Sequence, residues 1–454
     1  MVSFMEGRFY LRGTVTKLNL LFSYFTPVVD LNYLADSMPT MRLYNIPAAL
    51  GEGEIPKCIG SLAQLVDLKL ARNALVGSIP HTLANLSNLQ NLDLSLSGVI
   101  PKSIGTLPQI ESLHLNNNNF SGEIPSLNLC RSLRFIDFGD NILEGTLPTL
   151  LDLDDLIVLH LQGNKIQGSI PTSLCNLLSL QVLDLSSNNI IGKIPQCLSD
   201  ISALSDVNSQ RGTIFYGTSA PFIFHDSGIG FFVDETILTW KGYKMEFGVN
   251  LGFITTIDLS DNHLTGEIPQ ILTTLVALVS LNLSGNNLTG FIPNNIGDMQ
   301  RLESVDLSRN HLYGKIPQSF SNLIILGTMN LSFNNLSGEI PISTHLQTFD
   351  ASSYVGNIGL CGPPLTNQCP ADVIPPFGRV HKNGTNELKT FGFYVSLGFG
   401  FCVGFWSVCG TLIIKSSWRH AYFRFFNNIN AWIFVTVVVF TAKLKRRFEI
   451  QTKR

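Results

Sequence analysis

Aliphatic residues recur along the chain in an LxxLxL pattern. Ten units begin at residues 65, 89, 110, 133, 156, 180, 254, 278, 302 and 326, so neighbouring units lie 21–24 residues apart except for one gap of 74. The alternation predicts a short strand in each unit, with leucines on one face and the intervening side chains on the other. Because one unit cannot bury its apolar face alone, the units are predicted to stack into a solenoid with one parallel sheet.

Polar and turn-forming residues recur in phase with the leucines, as in the unit LVSLNLSGNNLTGFIP at residues 278–293. The asparagine is predicted to turn inward, because its amide can pair with backbone groups that the bend leaves unbonded. The glycine permits the next bend, and the proline prevents a helix or central strand from continuing. This phasing excludes scattered leucine-rich helices. The asparagines at this position are Asn73, Asn118, Asn141, Asn164, Asn188, Asn262, Asn286, Asn310 and Asn334.

A run without charged residues follows the repeats at 391–414. As a helix its 24 residues reach about 36 Å, which exceeds the roughly 30 Å hydrocarbon core of a bilayer. Basic residues follow the run, and this asymmetry predicts a single-pass type I plasma-membrane protein with extracellular repeats and a cytosolic tail at 415–454. Gly400 and Gly404 lie four residues apart in the run, so they are candidates for a helix-pairing face.

Composition agrees with this architecture. The chain of 454 residues is 45% hydrophobic and 14% charged, with a formal net charge of -3. No basic folded segment argues for nucleic acid as a partner. Seven Asn-x-Ser/Thr sequons all precede the apolar run, in agreement with an extracellular repeat domain. They begin at Asn85, Asn119, Asn282, Asn287, Asn330, Asn335 and Asn383.

The sequence contains no recognisable enzyme motif. A protein kinase needs a glycine-rich loop, a phosphate-pairing lysine and a catalytic loop, and the 40-residue tail has none of them. Aspartates recur at one position of the repeat, and we interpret them as solvated strand-edge residues rather than a metal or acid–base site. His114 and His160 are interpreted as isolated residues on the exposed strand face, so we predict no cofactor and no metal ion. The recurrent aspartates are Asp93, Asp184, Asp258 and Asp306.

Three segments of the sequence indicate a particular family of repeat proteins. They read LTWKGYKMEFGVNLGFITTIDLSDNHLTGEIPQ at 238–270, STHLQTFDASSYVGNIGLCGPPLTNQC at 343–369 and YVSLGFGFCVGFW at the start of 394–447. With the plant-type unit LxxLxLxxNxLxGxIP, they resemble the kinase-lacking plant leucine-rich-repeat receptor-like proteins, especially the fungal-xylanase-receptor and apple-scab-resistance type. The resemblance covers about residues 53–454.

This resemblance implies an α/β solenoid, a plant-type leucine-rich-repeat superhelix with its parallel sheet on the concave face, plus one transmembrane α-helix. It also implies recognition of a microbial protein or peptide in plant defence. Signalling would then pass through leucine-rich-repeat receptor kinases that serve as adaptor and co-receptor.

The front of the chain departs from that family. Members begin with a cleaved signal peptide and a cysteine-paired cap, whereas residues 1–52 show neither the repeat phase nor a cysteine pair. Residues 18–29 are apolar and follow basic residues, but Pro27 and the lack of a small-residue cleavage site argue against a working signal peptide. We therefore interpret this irregular segment as a degenerate signal or a lost cap.

The repeat is interrupted at residues 201–250, an aromatic-rich segment that we call the island. In the resembling family such islands contribute to ligand or co-receptor contacts; the alternative is a loop packed on the solenoid for structural reasons. Strand-face residues are varied before the island and nearly uniform after it. We therefore predict an exposed ligand face before the island, and a scaffold or co-receptor dock in the last four coils. The candidate ligand residues are Lys69, His114, Phe135, Val158, His160, Gln162, Trp240 and Lys241.

The cysteines suggest two disulfides. Cys361 and Cys369 flank a Gly-Pro-Pro segment after the last coil, and a bond there would cover the end of the stack. Cys175 and Cys197 follow the Ile-Pro turns of successive coils, so a bond across the coils is predicted. No histidine–cysteine cluster supports the competing interpretation, a zinc site. The other cysteines of the repeat region are predicted to be unpaired or structural.

These features divide the chain into an irregular segment, repeats, island, repeats, cap, juxtamembrane segment, transmembrane helix and tail. The ranges are 1–52, 53–200, 201–250, 251–342, 343–370, 371–390, 391–414 and 415–454. The favoured function is a cell-surface receptor without a kinase. The alternatives are a receptor for an endogenous developmental peptide, a secreted inhibitor of wall-degrading enzymes, against which the apolar run argues, and a truncated non-functional paralogue.

Overall fold

A computed structural model describes the chain from residue 54 to 369, with gaps at 56, 72–74, 149–152, 249 and 344–345. Within 1–53 and 208–234 it describes only the backbone of short strands, including the antiparallel pair Phe222–Phe224 and Gly228–Gly230.

The ten predicted units fold as coils whose strands pair side by side in one parallel sheet. Neighbouring strands are in register from the first coil to the tenth. The predicted solenoid with one parallel sheet is therefore confirmed. We number the coils 1 to 10 by their strands: Leu65–Leu70, Asn91–Leu94, Ser112–His114, Phe135–Asp137, Val158–His160, Val182–Asp184, Thr256–Asp258, Ser280–Asn282, Ser304–Asp306 and Thr328–Asn330.

Backbone strands of the N-terminal segment continue this sheet beyond coil 1. Met41–Tyr44 pairs in parallel with the strand of coil 1, and Leu18–Asn19 pairs with Met41–Tyr44. Val2–Met5 and Arg8–Leu11 form a separate antiparallel pair. The absence of the leucine phase predicts an irregular segment here. Strand pairing uses backbone groups, however, and does not require that pattern.

The core lies behind the sheet, where each strand turns its central aliphatic side chain inward. Leu92, Leu113 and Leu159 are at most 1% exposed, and one continuous apolar cluster extends from Ile55 to Leu360. Burial of one such leucine contributes about 1.5–3 kcal/mol. Since each coil covers the apolar surface of the next, stability accumulates along the stack.

Short strands and 3-10 helices complete the coils. The strands form three more parallel sheets: Ser97–Val99, Asn119–Glu123 and Ile142–Glu144; Gln167–Ser169, Asn189–Gly192, His263–Glu267 and Asn287–Thr289; Tyr313–Gly314, Asn335–Glu339 and Gly359–Cys361. The 3-10 helices are Lys57–Ser61, His81–Asn85, Lys102–Thr106, Thr172–Asn176, Gln196–Asp200, Leu251–Phe253, Gln270–Thr274, Ile296–Asp298, Gln318–Asn322, Leu346–Thr348 and Ala351–Ser353.

The helical part of the predicted α/β class is thus mainly 3-10. Within the described residues the one α-helix is Ser202–Ser205. A proline directly precedes seven of the 3-10 helices in the sequence. Its fixed φ and missing N–H suit the position at which such a turn begins.

The turn asparagines form a continuous ladder of hydrogen bonds inside the stack. In coil 6, Nδ2 of Asn188 donates to the carbonyl oxygen of Leu161 in the preceding coil at 3.0 Å. Its Oδ1 accepts from the backbone N–H of Ile166, also at 3.0 Å. The predicted inward role is confirmed for Asn118, Asn141, Asn164, Asn188, Asn262, Asn286, Asn310 and Asn334, while Asn73 lies outside the described residues.

The island leaves the stack without breaking it. The strands of coils 6 and 7 pair directly, with Val182 opposite Thr256. Asn262 of coil 7 also donates to the carbonyl oxygen of Leu185 in coil 6 at 2.9 Å, across 77 positions of sequence. The long gap in the repeat is therefore an insertion between coils 6 and 7, which still pair as neighbours.

The cap covers the end of the stack. Backbone N–H groups at the free edge of coil 10 donate to carbonyl oxygens of the cap at 2.7–2.8 Å. A disulfide joins Cys361 to Cys369 in the cap, and another joins Cys175 to Cys197 across successive coils. Cys130, for which the sequence suggests no partner, is free and buried.

No helix in the described part of the chain is long and apolar enough to cross a membrane. The predicted span at 391–414, with Gly400 and Gly404, lies outside the described residues, as do the sequon at Asn383 and the tail. They stay predictions.

Candidate ligand-recognition face

Side chains that point away from the core form the strand face of the sheet, in two rows that run along the solenoid. Each coil contributes one residue to each row, so neighbours within a row are about 4.8 Å apart. The first row is Asp67, Asn91, Ser112, Phe135, Val158, Val182, Thr256, Ser280, Ser304 and Thr328. The second row is Lys69, Asp93, His114, Asp137, His160, Asp184, Asp258, Asn282, Asp306 and Asn330.

The island places an antiparallel hairpin over this face. Thr236–Trp240 pairs with Tyr243–Phe247, and we call these two strands and their turn the island hairpin. Thr236 and Leu238 face the solenoid and are each 2% exposed, whereas the intervening Ile237 faces outward. This alternation is that of a strand with one buried face.

An apolar contact holds the hairpin on the first row. Phe135, Val158 and Val182 are the only consecutive apolar residues of that row, and they pack against Leu238 and Leu251 in a second buried cluster. The hairpin therefore covers the strand face of coils 4 to 6.

A polar cluster lies where the hairpin meets the second row. Nδ1 of His160 is 2.9 Å from Oδ1 of Asp137 and 3.0 Å from Oγ1 of Thr236, and the Thr236 hydroxyl donates to Oδ2 of Asp137 at 2.8 Å. On the other side, Nε2 of His160 faces Oδ2 of Asp184 at 3.6 Å and Oε1 of Gln162 at 3.4 Å. All five side chains are buried.

Charges within the cluster shift one another's protonation. Burial would lower the pKa of His160, but the carboxylates of Asp137 and Asp184 outweigh it and raise the pKa to about 9. Burial would raise the pKa of Asp137, but His160 and then His114 outweigh it and lower that pKa. Burial and the neighbouring charge of Asp184 raise the pKa of Asp258 in coil 7. Among the described residues, no group of three or more His, Cys, Asp or Glu side chains is arranged to hold a metal ion.

Two of the recurrent aspartates are buried rather than solvated. Oδ1 of Asp184 accepts from the backbone N–H and the hydroxyl of the serine two positions later, at 3.0 and 2.7 Å, and Asp258 makes the same pair of contacts. The expectation of a solvated strand edge is wrong for both, since they brace the bend after the strand. Asp93 and Asp306 are half-buried.

Five of the candidate ligand residues are covered. Phe135 and Val158 are 0% exposed, and His160 and Gln162 are also buried. His114 is buried too, with its ring stacked on that of Phe135 at 4.5 Å between centroids. The prediction of an exposed face here is wrong because the island hairpin occupies it. Repeat periodicity shows which side chains leave the core but not which segment folds back over them.

The other three candidates are half-buried and accessible. Lys69 lies on coil 1, while Trp240 and Lys241 lie at the turn of the island hairpin. Nζ of Lys241 is 3.0 Å from Oε2 of Glu303, just before the strand of coil 9, and 5.7 Å from the Trp240 ring centroid. Lys241 and Gly242 both have positive φ, which makes glycine the natural second residue of this turn.

The hairpin also carries exposed apolar side chains. Tyr243 is 75% exposed, Met245 47% and Ile237 38%. Lys244 adds a cation, with Nζ 3.4 Å from Oδ2 of Asp140. Tyr243 and Met245 pair with Trp240 and Leu238 and share their face of the hairpin, whereas Ile237 lies on the opposite face. We call Ile237, Tyr243 and Met245 the exposed hairpin residues. Exposed aromatic and aliphatic side chains with a basic margin are typical of protein-binding surfaces.

The sequons differ in their surroundings. Asn282 and Asn330 belong to the second row and are half-buried, and Nδ2 of Asn282 donates to Oδ2 of Asp258 at 2.9 Å. Nδ2 of Asn330 donates to Oδ2 of Asp306 at 3.2 Å. The exposed sequon asparagines are Asn85, Asn119, Asn287 and Asn335.

His160 is not the isolated residue expected from the sequence, because it has buried partners on both sides. Their signal is present in the repeat register, since Asp137, His160 and Asp184 occupy the same position on consecutive strands. Thr236 lies outside the repeat, and no periodicity predicts that it contacts His160.

Comparison with known proteins agrees with this architecture. Leucine-rich-repeat family profiles match residues 254–312 and also 109–129, 155–177 and 179–201, so the chain is a leucine-rich-repeat protein. It is 47% identical over 399 residues to the receptor-like protein EIX2 of Solanum lycopersicum, covering 86% of this chain and 39% of that protein. It is 42% identical over 340 residues to EIX1 of the same plant, covering 71% and 32%.

The chain is thus a homologue of the plant leucine-rich-repeat receptor-like proteins of the EIX type, and the resemblance drawn from the sequence is confirmed. It spans less than half the length of these two relatives. Among solved structures it is similar to the ectodomain of the Arabidopsis thaliana membrane receptor kinase GASSHO1/SCHENGEN3 in complex with CASPARIAN STRIP INTEGRITY FACTOR 2. That match has a TM-score of 0.57 and 34% identity, and it covers 73% of this chain and 33% of that one.

Proposed function

We propose that this chain is a cell-surface receptor without a kinase, which recognises a microbial protein or peptide in plant defence. The homology to EIX-type receptor-like proteins over 86% of the chain supports the receptor class. The observation that carries the recognition role is the exposure of Tyr243 and Met245, because their partners across the island hairpin, Trp240 and Leu238, are half-buried and buried.

The proposed contact surface differs from the one expected from strand periodicity. It consists of the exposed hairpin residues with Trp240 and Lys241 at the turn, and Lys69 on coil 1 is a separate candidate contact. Phe135 and Val158 support the hairpin from below instead of meeting the ligand. The buried apolar contact beneath the hairpin favours this arrangement, because side chains on an ordered hairpin lose little conformational entropy when a ligand binds.

Signalling by this receptor requires partner proteins. The proposed span at 391–414 places the repeats outside the cell and a short tail inside, and Gly400 and Gly404 form its pairing face for an adaptor receptor kinase. The half-buried strand face of coils 9 and 10 is the proposed dock for a co-receptor kinase. In this scheme the chain catalyses no reaction itself.

A receptor for an endogenous peptide is the second candidate. The similarity to the GASSHO1/SCHENGEN3 ectodomain, which was solved with CASPARIAN STRIP INTEGRITY FACTOR 2 bound, supports it.

One experiment separates these candidates. The tagged full chain is expressed in plant cells, its surface fraction is labelled, and binding is measured to a purified fungal xylanase and to a panel of synthetic plant peptides. We expect surface labelling and xylanase binding that Tyr243→Ala weakens by about tenfold. His263→Ala, an exposed change away from the strand face, is the matched control. Binding of a plant peptide alone would favour the endogenous role, and intracellular retention would contradict both receptor candidates.

A further inference from the structure

We infer that a protonated His160 fastens the island hairpin to the solenoid, and that loss of this proton loosens the hairpin. The inference deals with regulation of the proposed binding surface, so its biological role rests on the proposed function. Its physical basis is the buried cluster alone.

Both ring nitrogens of His160 face oxygen atoms. The Thr236 hydroxyl uses its proton for Asp137, so toward Nδ1 it can only accept. Nε2 faces the carboxylate of Asp184 and the side-chain oxygen of Gln162. An imidazolium has an N–H for each side, whereas a neutral ring directs one lone pair at oxygen acceptors. The contacts therefore fit the charged ring.

The charges of the second row also favour a protonated His160 ring. From coil 1 to coil 6 this row alternates between basic and acidic residues, which places His160 between Asp137 and Asp184. A charged His160 attracts both carboxylates. A neutral ring would leave the two without a buried cation between them, which is costly in a site closed to water.

The hairpin is joined to this charge through Thr236. Its hydroxyl bridges Asp137 and His160, and the hairpin shields all three from water. When the hairpin is lifted, water solvates the ring and the carboxylates, and the ring no longer favours its proton so strongly. Hairpin seating and proton binding are therefore reciprocally linked.

Other charged groups near the hairpin lie at its margins. The Lys241–Glu303 and Lys244–Asp140 pairs are partly or largely exposed, and Glu235 beside Thr236 is exposed. From coil 3, His114 acts on Asp137 while it stacks on Phe135. The cluster of His160 and its two flanking aspartates is thus the buried charged attachment of the hairpin, beside the apolar contact of Leu238.

The direction of the pH dependence follows from the shifts. The pKa of His160 rises from 6.5 to about 9, so its stabilisation is complete below about pH 6.5 and is lost as the pH rises through about 9. The lowered pKa of Asp137 contributes above 3.8 and is lost as the pH falls through its native value. Seating is therefore firmest in mildly acidic solution and weakens on the alkaline side.

Hydrogen–deuterium exchange of the full chain in detergent micelles tests this linkage. Exchange is followed at about pH 5.5 and about pH 8.5 and corrected for the intrinsic pH dependence of amide exchange. We expect protection of the island hairpin to fall roughly tenfold or more at the higher pH, while the strands of coils 8 to 10 keep theirs.

Two variants identify the group responsible. His160→Gln should abolish the pH response of the hairpin. Thr236→Val removes the hydroxyl from the hairpin without disturbing the solenoid, and it should lower hairpin protection at acidic pH and flatten the response. Thr239→Val, on the other side of the same strand, is the matched control and should behave like the natural chain.

The inference is overturned if the natural chain protects its hairpin equally at both pH values. It is also overturned if Thr236→Val and Thr239→Val respond alike, even where His160→Gln does not fold. Hydrogen–deuterium exchange requires no ligand, so the two proposals can fail separately. An exchange pattern that does not depend on pH would leave the proposed receptor function intact, and absence of ligand binding would leave the pH-dependent exchange intact.

Discussion

Nζ of Lys241 lies 3.0 Å from Oε2 of Glu303 and ties the turn of the island hairpin to coil 9, across 62 positions of sequence. Both side chains are at least 35% exposed, so water and salt screen the pair. Exposed pairs of this kind contribute about 0–1 kcal/mol. The contact therefore positions the turn, whereas burial of Leu238 and the His160 cluster supplies most of the attachment.

A charge exchange tests the positioning role of this pair. We expect Lys241→Glu to raise exchange of the turn amides a few-fold at low salt, because it places two acids together. Adding Glu303→Lys should restore protection. Arg309→Glu changes a pair with Asp261 elsewhere on the coils and is the matched control. If the double variant stays as loose as Lys241→Glu, Glu303 is not the partner that matters.

Truncation of Leu238 tests the apolar attachment. Leu238 is 2% exposed and packs on Phe135, Val158 and Val182, so Leu238→Ala should weaken hairpin seating by about 2–4 kcal/mol. The expected readout is faster limited proteolysis within the hairpin while the coils stay resistant. Ile237→Ala, one position away on the outward side, should leave the cleavage rate almost unchanged. Equal rates for the two variants would contradict the buried cluster.

The repeat could be predicted from the sequence because each of its elements is local. Leucine spacing, the turn asparagine and the Ile-Pro pair all act within one coil or between neighbours, and the ten strands form where the pattern predicts them. The strand face could be predicted only in part. Periodicity identifies Phe135 and Val158 as side chains that leave the main core, but it also predicts that they are exposed.

The repeat spacing does not predict where the island packs on the solenoid. Thr236 contacts Asp137 across 99 positions of sequence, and no repeating spacing relates the two. An apolar stretch in an otherwise polar row is nevertheless a signal. Phe135, Val158 and Val182 on three consecutive strands would expose a contiguous apolar patch, and such a patch implies a segment that covers it.

The asparagine ladder permits a test with a neighbouring control. Asn188→Ala removes bonds to the carbonyl of Leu161 and the N–H of Ile166. It leaves the N–H of Ile166 buried without this partner, while the Leu161 carbonyl keeps its bond from Nδ2 of Asn164. We expect a loss of about 2–4 kcal/mol in the free energy of unfolding, measured by urea denaturation. Asn189→Ala alters an exposed side chain one position later and should change it by less than about 0.5 kcal/mol. A small effect at both positions would mean that the ladder does not stabilise the stack.

Glycan occupancy should follow the surroundings of each sequon. Asn85, Asn119, Asn287 and Asn335 are exposed, so we expect glycans there in protein purified from plant cells. Their attachment would leave the strand face free.

Asn282 and Asn330 should be occupied less often. Nδ2 of Asn282 donates to Asp258 and its Oδ1 accepts from the backbone N–H and the hydroxyl of Ser284, so a glycan on this nitrogen would compete with the contacts that close the row. Glycopeptide mass spectrometry measures the occupied fraction at each site. Asp258→Ala frees the Asn282 amide, and we expect it to raise occupancy at Asn282 while Asn287, five residues away, keeps its own. High occupancy of Asn282 in the natural chain would mean that its contacts with Asp258 and Ser284 form only after the glycan is attached, or do not form. The glycan would then shield the strand face of coils 7 and 8 from a partner protein.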